Sequence, residues 1–104
     1  MRAGRLRHQV VIQRLVEGTL WGEEDSWEDY AVAWASIEPL KGAEYYAAQQ
    51  VNAEVTGKVV MRYLSGVVPK MRVVFGTRTF EILSVINPDE RNRELQLLVK
   101  EPVT

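Results

Sequence analysis

The stretch PLKGAEYYAAQQVNAEV, residues 39–55, parts two runs of alternating apolar residues and decides how the chain is read. Before it, residues 31–38 put Ala33, Ala35 and Ile37 on one face and Val32, Trp34 and Ser36 on the other, until Pro39 ends the run. After it, residues 55–64 put Val55, Val59, Met61 and Tyr63 on one face and Thr56, Lys58 and Arg62 on the other. Period-two patterns of this kind belong to half-buried strands. A hairpin connection between strands takes about two to five residues, so this one has structure or a task of its own. Ala43, Tyr46, Ala47, Gln50 and Val51 recur at i, i+3, i+4, i+7 and i+8, which predicts a short helix over 42–52 with that set on one face. Ala43, Ala47 and Val51 are its side chains for burial. An extended form stays open, because Tyr45-Tyr46 and Gln49-Gln50 suit it as well. Such a helix spans about 16 Å, while the extended chain reaches roughly 35 Å, so a change of form would carry the segment far.

Outward from this stretch the chain reads as further strands. Residues 8–16 form a first one, and residues 19–30 read as a surface loop that holds Trp21, Trp27 and Tyr30 among charges without a clear period. Toward the C-terminus, 71–75 and 79–86 flank a tight Gly76-Thr77-Arg78 hairpin, and 94–100 follows a turn at Asn87-Pro88-Asp89. The expected fold is mainly β: a small antiparallel β-barrel or sandwich of about six strands, with one short helix in the connection between strands 2 and 3.

Length and composition bound the rest. At 104 residues, with 46% hydrophobic and 26% charged, the chain suits a single domain over 1–104. Its expected mobile parts are an N-terminal arm (1–7), the acidic loop (18–30) and the segment 40–54. No apolar run is long enough to span a bilayer, and the basic N-terminus lacks the apolar stretch of a secretory signal. The absence of cysteine excludes disulfides and thiol chemistry and is consistent with assembly in the cytoplasm.

The net charge of −1 hides a segregation by sign. Arg2, Arg5, Arg7 and Arg14 stand in residues 1–16 without an acid, whereas Glu17, Glu23, Glu24, Asp25, Glu28, Asp29 and Glu38 stand in 17–40 without a base. One reading is a solvated acidic loop beside a basic tail. The other is that the two blocks dock a neighbouring subunit or another ring, through Arg2, Arg5 and Arg7 and through Glu23, Glu24 and Asp25. Trp21 and Trp27 fit the second reading as interface anchors, or fold back over the core.

Catalytic chemistry is not supported. His8 is the only histidine, the glycines do not form a phosphate cradle, and the 23–29 carboxylates lack the order of a calcium loop. No enzyme activity, metal or cofactor is expected. The rival function is a small nucleic-acid-binding barrel of the OB or SH3-like kind, using Lys58, Arg62, Arg72 and Arg78 beside Tyr63 and Phe75. A sequence pI near 5.8 speaks against it.

Gly4-Arg5-Leu6-Arg7-His8, then Trp34-Ala35-x-Ile37-x-Pro39 with Gly42-x-Glu44-Tyr45-Tyr46-x-Ala48-Gln49-Gln50, then Met61-Arg62-Tyr63, Met71-Arg72-Val73 and Phe80-Glu81-Ile82, together resemble the tailed-phage head-tail joining family, also called head-closure, head-completion or stopper proteins. The resemblance runs through nearly the whole chain. It implies a β-barrel that assembles as a homo-oligomeric ring below the portal or adaptor ring, closes the DNA-filled head and offers a surface to a tail or tail-completion protein. It further implies a virion location at the head-tail interface of a bacteriophage or prophage particle, with packaged DNA in the channel and no sequence-specific binding. In some relatives the segment between strands 2 and 3 faces the channel and takes part in closing it, which by position implies 40–54 here, with Leu40, Lys41, Gly42, Glu44, Tyr45, Tyr46, Gln49 and Gln50 as the channel or gating residues.

Overall fold

The computed structural model describes residues 6–102. Six strands follow in chain order: β1 His8–Val16, β2 Ser26–Pro39, β3 Gly57–Arg62, β4 Arg72–Phe75, β5 Arg78–Ile86 and β6 Glu94–Lys100. Helix α1, Gly42–Val51, lies between β2 and β3, and a 3-10 turn at Pro88–Glu90 precedes β6. The strands pair antiparallel in the order β1-β2-β3-β6-β5-β4, and β1 pairs with β4 to close a barrel. Of the two architectures expected, the barrel is the one formed. Closure removes the free sheet edges that a sandwich would leave to pair with other chains.

The alternation along each strand fills the inside. Val10 and Ile12 of β1, Ala35 of β2, Val59 and Met61 of β3, Val73 of β4, Phe80 and Ile82 of β5, and Leu95, Leu97 and Val99 of β6 make one buried cluster. Each large member contributes about 1.5 to 3 kcal/mol on burial, which makes this cluster the main source of stability.

The expected spans of the first and last strands coincide with those observed, but the middle of the chain departs from the reading in three places. First, β2 begins at Ser26, so the acidic loop ends there and Trp27 and Tyr30 are strand residues. Leu15 pairs with Trp27 and Val16 with Ser26, after a register shift between Ile12 and Gln13. Because β4 pairs with β1 only over Val11 to Gln13, the hairpin leaves the barrel as a two-stranded ribbon, exposed on both faces. A strand wet on both sides carries no hydrophobic alternation, which hid it from the sequence.

Second, β3 is shorter than 55–64, and Lys58 is buried at 7% exposure rather than solvated. Glu44 of α1 reaches over it, with a carboxylate oxygen 2.8 Å from the Lys58 Nζ. Third, α1 forms where expected but is rotated from the expected face. Its buried residue is Ala48, which packs with Val55 and Leu98 and is flanked by Leu40 and Leu83, while Ala43, Tyr46, Ala47, Gln50 and Val51 all face solvent.

Candidate functional site

Two parts of the chain project from the barrel, and they carry most of the residues singled out by sequence. The first is the α1 segment. Lys41 begins the helix without a side-chain cap, and Gly42 takes a positive φ of 55°. At the other end the chain is drawn back onto the barrel by local bonds. The Asn52 N–H donates to the Ala48 carbonyl at 3.0 Å, the Gln49 side-chain amide donates to the Val55 carbonyl at 2.9 Å, and the Glu54 N–H donates to Asn52 Oδ1 at 2.8 Å.

The helix itself is held by little. Ala48 against Leu98, the Glu44–Lys58 pair and the Gln49 bond to Val55 are its ties, and a methyl group removes a small apolar area from water. Tyr45 and Tyr46 stack edge to face at 5.8 Å, and the outer face leaves Tyr46 at 71% and Val51 at 63% exposure. Of the expected channel residues, Lys41, Gly42, Tyr45, Tyr46 and Gln50 are exposed, Glu44 is engaged with Lys58, Gln49 is bonded at the helix end, and Leu40 is half-buried beneath it.

The second projection is the β1–β2 ribbon. Its sides are laced by side chains: Arg14 pairs with Glu28, the Gln13 amide donates to Asp29 Oδ1 at 2.9 Å, and Arg72 donates to Gln13 Oε1 at 2.7 Å. The Arg72 guanidinium lies 4.1 Å from the Trp27 ring centroid, which fixes Trp27 on the outer wall rather than as a lid over the core. Farther in, the Tyr30 hydroxyl donates to the Ser65 carbonyl at 2.8 Å and ties β2 to the β3–β4 connection. A side chain at Gly66 would collide with that hydroxyl.

At the tip the acidic residues have structural work. One Glu23 carboxylate oxygen accepts from the Leu20 N–H at 2.7 Å and the Thr19 N–H at 3.0 Å, and the Gly18 N–H donates to Asp25 Oδ1 at 3.0 Å. The Leu20 bond first, and the Thr19 bond after it, hold the Glu23 carboxyl below its ordinary pKa. Gly22 supplies a φ of 87°. The turn so built holds Trp21 fully in solvent with Leu20 beside it, while Glu24 is exposed. Of the expected docking residues, Glu23, Glu24, Asp25 and Trp21 therefore share one tip, Trp27 sits on the ribbon wall and Arg7 is exposed beside β1. Arg2 and Arg5 lie outside the described residues.

Two features escaped the sequence reading. Lys58 reads as solvated from its place in an alternating strand, and only its partner in α1 reveals otherwise. On the outer barrel wall, Val32 (61% exposed), Trp34 (55%) and Tyr63 border a groove of about 280 Å³. The outward Val32 and Trp34 were the signal for it. Among the described residues no group of three or more His, Cys, Asp or Glu could hold a metal ion, and no helix is long and apolar enough to cross a membrane.

The family model described as phage head completion protein matches residues 1–102. Among solved structures, the solution structure of protein SF1141 from Shigella flexneri 2a is similar at 25% identity and a TM-score of 0.75, over 99% of this chain and 98% of that one. A chain in the virion of a native gene transfer agent particle shares the fold at 21% identity and a TM-score of 0.65, over 96% of this chain and 98% of that one. No curated protein matches.

Proposed function

The chain belongs to the phage head completion protein family, and from that premise we propose that it is a non-enzymatic ring subunit of the head-tail connector, which closes the filled head below the portal and gives the tail its attachment surface. The observation that carries this reading is the poorly anchored α1 segment. A helix held by Ala48, one ion pair and one side-chain hydrogen bond, with tyrosines on its free side, is suited to leave its barrel and be captured by neighbours. In the ring, 40–54 turns to the channel, where Tyr45, Tyr46, Gln49 and Gln50 contact one another's copies or packaged DNA without gripping phosphate. No membrane takes part. The near-zero net charge supports passage rather than tight retention of DNA.

The test is to delete residues 43–50 and bridge the gap with glycines. The variant should fold and still join the portal, while the filled heads leak DNA. Full DNA retention by such particles would make the segment a spacer and remove the gate from it.

A further inference from the structure

A fully exposed tryptophan on an ordered turn is an unusual arrangement, because the ring exposes much apolar area and the turn around it is locked by Glu23 and Asp25. Locking removes the ordering cost that a flexible loop would meet on binding, so the tip of the ribbon is prepared for a contact. Its own barrel cannot provide it. The barrel's exposed aromatic groove, lined by Ala31, Val32, Trp34, Arg62, Tyr63 and Leu64, lies farther along the same β2 strand. From Ser26 to Val32 the extended backbone covers about 20 Å, which holds tip and groove apart within one molecule.

The two surfaces match in charge as well as in apolar character. Trp21 shares its turn with Glu23, Glu24 and Asp25, and Glu24 forms no ion pair among the described residues. The groove is flanked by Arg62 and by Arg93, whose carbonyl accepts from the Tyr63 N–H at 3.1 Å. Both arginines are exposed and without an ion pair among the described residues, and Glu94, opposite Arg62 in the register, is half-buried. We propose that the Leu20-Trp21 tip of one copy inserts into the Val32–Trp34–Tyr63 groove of a second copy of this chain, with Glu24 facing Arg62 and Arg93. Knob and hole are different patches, so the contact is head-to-side and propagates from subunit to subunit until a ring closes. This deepens the ring reading above and rests on it for the choice of a second copy. It also places the acidic docking partner on Arg62 and Arg93 rather than on the N-terminal arginines.

The chain has no cysteine, so disulfide trapping is clean. In the full-length chain, Glu24→Cys combined with Ala31→Cys brings one thiol beside the tip and one beside the groove. Mild oxidation at high protein concentration should give a ladder of covalent oligomers from the double variant, a dimer from the mixed single variants, and monomer from each single variant alone. Adding Trp21→Ala should cut the ladder yield at least tenfold, and Trp21→Phe less. With natural residues at 24 and 31 apart from the reversals, Glu24→Arg or Arg62→Glu alone should reduce self-association measured by sedimentation, and the two together should restore it. Monomer throughout, dimer from Glu24→Cys alone, or cross-links only to an added head or tail protein would overturn the proposal. Its failure is separable from that of the functional reading: leaking heads without a ladder leave the gate and remove this contact, whereas a ladder with DNA-tight heads does the reverse.

Discussion

The two projections of this barrel are built on opposite terms. The β1–β2 ribbon is wet on both sides, yet Arg72, Gln13, Asp29, Arg14, Glu28 and Tyr30 bind it to itself and to the barrel. The α1 segment has the better local pattern, a run of helix formers with apolar spacing, yet Ala48 is the helix residue that is buried. Order in the first comes from many side-chain bonds across a ladder, and weak attachment in the second from a face that meets too little apolar surface. A tip held by many bonds and a helix held by few thus coexist on one small domain.

The largest effect should come from the root of the ribbon. Ile12 is fully buried at the register shift where the ribbon departs, so Ile12→Ala should cost about 2 to 5 kcal/mol in urea unfolding, with ribbon and barrel lost together. If the ribbon unfolded separately, it would be an appendage like α1. Next in size is Glu44→Ala, which leaves the buried Lys58 amine without its partner and should cost about 1 to 3 kcal/mol. Lys58→Met should be tolerated better, because it removes the charge along with the pair. In hydrogen exchange, Glu44→Ala should speed the α1 amides while those of β3 and β6 slow-exchange as before. Loss of protection through the whole barrel would show that α1 is part of the core. Smaller again is Tyr30→Phe, which removes one half-exposed hydrogen bond to Ser65 and should cost about 0.5 to 1.5 kcal/mol.

The same contrast explains what the sequence disclosed. The alternation of Val10 with Ile12, Val59 with Met61 and Leu95 with Leu97 and Val99 made the strands legible, since each has one face inside the barrel. A strand such as 26–30, exposed on both faces, has no such signature, and its pairing with β1 alone defines it. The helix was legible as a helix from Ala, Glu and Gln, but its rotation was not. Spacing shows which residues share a face, and the apolar set of Tyr46, Ala47 and Val51 is the natural choice for burial. The structure buries Ala48 instead, because Glu44, one turn before it, seats on Lys58 and turns that side inward. Lys58 is fourteen residues from Glu44, too far for any local rule to join them. The tip was legible as charged and aromatic, but not that Glu23 and Asp25 would serve the turn before any partner.

The smallest effect isolates the tip from everything else. Glu23 has a folded-state pKa below its ordinary value, because the N–H groups of Leu20 and Thr19 donate to the ionised carboxylate. A depressed carboxyl pKa means that the unfolded state binds the proton more readily, so the contribution is present above the ordinary value of about 4.3 and is lost as pH falls through the folded pKa. Since the side chain is fully in solvent, the expected consequence is local rather than global. On acidification below about pH 4.3, the Thr19 and Leu20 amide resonances should move with the Glu23 carboxyl and lose their protection, while those of β6 stay in place. Glu23→Gln should reproduce the acid form at neutral pH with little change in the unfolding midpoint. If the barrel unfolded in step with the tip, the ribbon would be coupled to the core down to its last residue. If the tip amides ignored pH, the order around Trp21 would have to come from the backbone turn at Gly22 alone, and the knob would keep its shape without its carboxylate.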